Sequence, residues 1–177
     1  MTPHYAFPDV TFADLRAELA REIALRRAAY PRMIEKGRMT RADADRQLAL
    51  FAALAEDVER IRAAEEAFRA TFPGRPYQRP APAAHRFTWA QRRAALTHEL
   101  DRRARLYPDW IAAGRLTQDQ ADRQVRHLAC IRALYEGGFD WIETDPARGS
   151  GGVHREWRAI ETEIAARDGR AQQELSL

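Results

Sequence analysis

The chain has 177 residues, 45% hydrophobic and 31% charged, enough apolar content to build a core in one ordinary domain or two very small ones. No run of residues is long and apolar enough for a transmembrane helix. The opening MTPHYAFPDVTF lacks the basic-then-apolar pattern of a signal peptide, and the single Cys130 excludes an internal disulfide, so the expected location is the cytoplasm.

Residues 11–57 and 88–134 are two diverged copies of one unit, offset by 77 positions, with 18 of 47 positions identical and no gap. After an N-terminal extension, residues 1–10, the first copy opens a helical hairpin over residues 11–72. Thr11 and Asp14 have the spacing of a helix N-cap and its third residue, and Val10 can staple onto Leu15. Leu15, Leu19 and Ile23 follow the i, i+4 rule of a helical stripe. Pro31 removes a backbone donor and should kink this helix, or stop and restart it. Gly37 supplies the left-handed residue that ends it, and Thr40 with Asp43 caps the next helix after about three residues. That helix carries Ala44, Leu48, Phe51, Leu54, Val58, Ile61 and Phe68 on one stripe, a length of nearly 30 residues and about 45 Å.

Residues 73–87 hold Pro73, Pro76, Pro80 and Pro82 and should form an extended, semi-stiff basic linker. The second hairpin, residues 88–136, repeats the first. Thr88/Gln91 and Thr117/Gln120 cap it, Pro108 and Gly114 match Pro31 and Gly37, and Gly137-Gly138 cuts its second helix short. Residues 137–152 read as an irregular Gly-rich loop. Residues 153–177 read as a last short helix, with Val153, Trp157, Ile160 and Ile164 at i, i+4, i+7 and i+11, followed by a disordered tail. The expected fold is therefore all-α: two tandem antiparallel hairpins forming a four-helix assembly, plus a short C-terminal helix.

The net charge of +3 comes from 28 Arg and one Lys against 26 acids, and its distribution says more than its size. The linker carries +3, residues 88–136 another +3, and residues 137–177 carry −3. Glu22/Glu99, Arg26/Arg103, Asp45/Asp122, Arg46/Arg123 and Gln47/Gln124 are the same in both copies. Glu four residues before Arg is the favourable order for a helical ion pair, so these residues read either as an inter-helix network setting hairpin register or as a cluster gripping a ligand. The five histidines form no HxxxH or HExxH pattern, ARGSGG lacks the Lys-Ser/Thr of a phosphate loop, and no cofactor, metal or catalytic set is expected. Cys130 aligns with Ala53, as a small packed residue would. Trp110, near a hairpin tip, is a candidate partner contact.

The unit E-x-x-x-R-x-x-x-YP-x-x-I-x-x-GR-x-T-x-x-x-ADRQ, met at 22–47 and 99–124, resembles a helical motif of uncharacterised phage and prophage proteins of GC-rich bacteria. The resemblance implies a phage-type accessory protein and assigns no catalytic residue. Two functional expectations follow. One is a non-enzymatic protein acting through a protein partner or self-association. The other is a nucleic-acid-binding accessory protein in which Arg75, Tyr77, Arg79, Arg86, Arg102 and Arg105 track phosphates.

Overall fold

A computed structural model of the chain describes residues 3–4, 6–74 and 87–135. Residues 75–86 of the basic linker, with Arg75, Tyr77, Arg79 and Arg86, the Gly-rich loop and the expected C-terminal helix lie outside the described residues. Those described form an all-α fold of four helices: α1 (Phe12–Glu35), α2 (Arg41–Thr71), α3 (Trp89–Ala112) and α4 (Gln118–Ala133).

Local chemistry accounts for each boundary. Thr11 accepts from the Asp14 amide at 3.2 Å while the Asp14 carboxylate accepts from the Thr11 amide at 2.9 Å, a complete capping box. Thr88 with Gln91 and Thr117 with Gln120 repeat it, and Thr40 caps α2 through the Asp43 amide. The hairpin turns are superposable in their hydrogen bonds. Arg38 donates to the Met33 carbonyl and Gly37 to Ile34, both at 2.9 Å. Arg115 donates to Trp110 at 2.8 Å and Gly114 to Ile111 at 3.0 Å. This Schellman closure needs a left-handed residue, and Gly37 and Gly114 take it at φ 65° and 66°.

Neither proline stops its helix. Pro31 lies inside α1 and Pro108 inside α3, and both helices continue to the turn. The carbonyls that lose an amide partner are those of Arg27 and Ala104. Both residues are solvent-exposed, so water can take the place of the missing donor. The second helix of copy one runs 31 residues and its counterpart 16, the length difference that the Gly-Gly break implies.

The hairpins pack with α1 against α2 and α4, and α3 against α4 and α2. The core takes Leu15 and Leu19 from α1, Phe51, Leu54 and Val58 from α2, Leu96 from α3, and Leu128 and Ile131 from α4. Cys130 and its counterpart Ala53 are both buried there. Val10 and Phe87, each just before an N-cap, close the core at matching places. The N-terminal extension is fastened to α4, where Arg126 pairs with Asp9 and stands 5.3 Å from the Phe7 ring.

Candidate functional site

The repeated Glu and Arg columns meet in the middle of the bundle. Arg26 pairs with Glu22 on its own helix and reaches Glu99 of α3 at 2.9 Å. Arg103 pairs with Glu99 on its own helix at 3.3 Å and reaches Glu22 of α1 at 2.7 Å. The four side chains thus close a ring of alternating charge, in which what copy one gives to copy two is returned in kind, the pattern of an isologous interface. All four are buried, Arg103 to 2% exposure. Single-copy residues complete the ring. Glu18 accepts from Arg103 at 2.8 Å, Arg21 bridges Glu18 and Glu22, and Arg102 forks onto Glu99 at 2.9 and 3.0 Å. The Arg26 Nε is buried without a hydrogen-bond acceptor among the described residues, while other faces of the two guanidinium groups are engaged. Arg103 donates to the Gln124 carbonyl at 2.6 Å, and the Arg26 guanidinium lies 3.5 Å over the Phe51 ring. Burial alone would raise the Glu99 pKa. The Arg102 hydrogen bond and the charges of Arg26, Arg102 and Arg103 outweigh it, and the net shift is downward.

Tyr107 donates to the Gln124 side chain at 2.6 Å, linking two more repeated columns, and burial holds its hydroxyl pKa above the ordinary value. Trp110 is half-buried, tilted at 33° on Tyr107 with ring centres 5.6 Å apart, and it flanks a 50 Å³ pocket beside the ring, near Leu25. Asp45, Arg46, Asp122 and Arg123 do not enter the ring and are exposed. Asp122 accepts from Gln118 at 2.8 Å, and Arg46 stands 5.6 Å from the Phe87 ring. Arg105 is exposed on α3, whereas Arg102 is committed to Glu99.

A second buried polar cluster is absent from the sequence reading. Arg92 of α3, at 0% exposure, pairs with Asp57 of α2. Asp57 also accepts hydrogen bonds from the Tyr135 hydroxyl at 2.7 Å and from Arg60 at 3.0 Å. Burial first, then the Asp57 charge, pushes the Tyr135 hydroxyl well above its usual pKa. The signal was present, since Arg92 precedes Leu96 and Leu100 by four and eight and so occupies the apolar stripe. Its counterparts 77 positions away are apolar throughout: Leu15 for Arg92, Leu134 for Asp57, Val58 for Tyr135.

An open concavity lies at the tip of the second hairpin. Ala104, Tyr107, Pro108 and Ile111 of α3 face Ala121 and Val125 of α4 across about 490 Å³, with Gln118 and Asp122 beside them. Val125 is 36% exposed. The first hairpin carries Arg27, Glu35 and Arg41 where this groove has Ala104, Ala112 and Gln118. The second copy therefore lacks three charges around the same apolar floor. Among the described residues no group of three or more His, Cys, Asp or Glu is placed to hold a metal ion, and no helix is long and apolar enough to cross a membrane. Comparison with family models, curated proteins and solved structures finds no match to this chain.

Proposed function

We propose that this chain is a non-enzymatic, phage-type accessory protein of the host cytoplasm that acts by binding another protein, with the tip groove of α3 and α4 as the contact. One observation carries the reading: Glu22, Arg26, Glu99 and Arg103, common to both copies, are spent on one another inside the bundle, while an open apolar groove lies where the second copy has shed three charges. A groove with an apolar floor and a few polar neighbours suits an apolar side chain from a partner segment. Nucleic-acid binding is the weaker alternative, because Arg102 already serves Glu99.

The test puts the first hairpin's charges into the second: Ala104→Arg, Ala112→Glu and Gln118→Arg. All three sites are exposed, and the first copy tolerates these residues at the same places, so the fold should survive. A photo-crosslinking residue at Ile111 should capture a discrete host or phage protein, and the charge triple should reduce that yield at least about tenfold, since each 1.4 kcal/mol of lost contact is a factor of ten. Equal yields from both proteins, with equal melting temperatures, would rule out the groove as the contact.

A further inference from the structure

We infer that the groove has an occupant of its own, the stripe Val153, Trp157, Ile160 and Ile164 of the same chain, which seats between α3 and α4 and must be displaced before a foreign protein binds. The inference rests on reading the groove as a docking site, and it holds whether or not a foreign partner exists.

The groove offers apolar ground that nothing described in the fold covers, since Ala104, Pro108, Ala112 and Val125 are all exposed around it. Beyond Tyr135, the last residue described, lie 42 residues, and among them only 153–164 carries four large apolar residues at i, i+4, i+7 and i+11, which is one face of a helix. As a helix, twelve residues span about 18 Å, and the stretch of α3 from Arg103 to Ala112 that lines the groove spans about 14 Å. The tether is long enough. From Tyr135 back along α4 to Val125 is about 15 Å, whereas the 17 residues 136–152 reach up to about 55 Å when extended. The charges match, with +3 on residues 88–136 and −3 on residues 137–177. On the first copy the equivalent ground carries the ionic side chains Arg27, Glu35 and Arg41, so an apolar stripe finds less bare surface there.

Tethering makes modest affinity sufficient. A flexible link of this length gives an effective concentration on the order of 1 mM, so a site with a Kd of roughly 100 µM would be about 90% occupied by its own chain. A foreign segment then competes against that local concentration.

Full-length chains with engineered cysteine pairs test this, since the one native thiol, Cys130, is fully buried. Val125→Cys with Ile160→Cys places one thiol in the groove and one in the stripe. Leu48→Cys with Ile160→Cys is the control on the first hairpin, where Leu48 is the counterpart of Val125 but half-buried, so each closure rate is divided by the alkylation rate of the same groove thiol in the corresponding single-cysteine variant. Under mild oxidation at low micromolar protein, the first pair should close an intramolecular disulfide at least about fivefold faster than the control, resolved by non-reducing gels and peptide mass spectrometry. In parallel, amide exchange in residues 153–164 of the cysteine-unmodified chain should be slow, and should accelerate at least tenfold in the Ala104→Arg, Ala112→Glu, Gln118→Arg protein. Equal closure of the two pairs, intermolecular disulfides in place of intramolecular ones, or fast exchange in the unmodified chain would each overturn the inference. None of these readouts depends on capturing a foreign protein, so this inference and the proposed function can fail separately.

Discussion

The buried triad Asp57, Arg92 and Tyr135 has an apolar twin in the same molecule, and that makes its energetics testable against an internal standard. Replacing Arg92 by Leu alone leaves the Asp57 carboxylate buried with only the Arg60 contact and the Tyr135 hydroxyl. Removing one partner of a buried ion pair costs about 3–5 kcal/mol, because the remaining charge keeps its desolvation cost and loses its compensation. For a domain of this size that is a fall in melting temperature of about 6–20 °C. The triple replacement Asp57→Leu, Arg92→Leu, Tyr135→Val writes in the residues of the other copy, Leu134, Leu15 and Val58, all of which are buried where they stand. Exchanging a whole buried ionic cluster for packed apolar residues is often neutral or stabilising by about 1–4 kcal/mol. The triple variant should therefore recover at least what the single variant loses. Urea titration and thermal unfolding followed by far-UV circular dichroism give both values. A single variant within about 1 kcal/mol of the parent, or a triple variant less stable than the single, would refute the argument from symmetry.

The central ring leads to a second expectation: Glu22→Ala and Glu99→Ala should each destabilise by about 3–5 kcal/mol while leaving partner capture intact, and unchanged melting with lost capture would recast the ring as a binding site. Stability should also vary with pH. Glu99 is held below its ordinary 4.5, so its contribution is present above that value and is lost as pH falls through the lower folded value; Tyr135 is held above its ordinary 10.0, so its contribution is complete below that value and is lost as pH rises beyond it. Tyr135→Phe should flatten the alkaline fall in unfolding midpoint, and a variant that retains the full fall would exclude Tyr135 as its source. For nucleic acid, mobility-shift titrations should show no complex at micromolar protein and low salt. A shift whose log–log salt slope becomes shallower by up to about three units in Arg75→Ala, Arg79→Ala, Arg86→Ala would reverse the choice between partners.

What the sequence made legible was local. Thr11, Thr40, Thr88 and Thr117 announced four helix starts, Gly37 and Gly114 two turns, and the α2 stripe a helix of about the length observed, because caps, turns and stripes are set by residues three or four apart. The Glu and Arg columns were visible as pairs along one helix, but their exchange between helices depends on how the hairpins meet, which no i, i+4 rule reports. Asp45 and Arg46 illustrate the converse: they recur in both copies, yet they face solvent and take no part in the ring. At Pro31 and Pro108 the helices run on rather than stop and restart, with the carbonyls that lose their donor belonging to the exposed Arg27 and Ala104. The triad escaped because each of its members looks ordinary alone; Tyr135 extends the stripe of Leu128 and Ile131 as an aromatic should, Arg92 stands on the stripe of Leu96 and Leu100, and the partners meet only once α2, α3 and the residues just after α4 are packed.

The reciprocal ring also says something about how such a chain can arise and change. A lone hairpin bearing Glu and Arg four residues apart is complementary to a copy of itself, so two unlinked hairpins would hold together only above some threshold concentration. Joining them on one chain removes that threshold and, with it, the requirement that both halves stay alike. Identical subunits must mutate in step, whereas fused halves drift singly. The ionic cluster opposite its apolar twin, and the bare tip opposite the charged one, are two places where that freedom has been used.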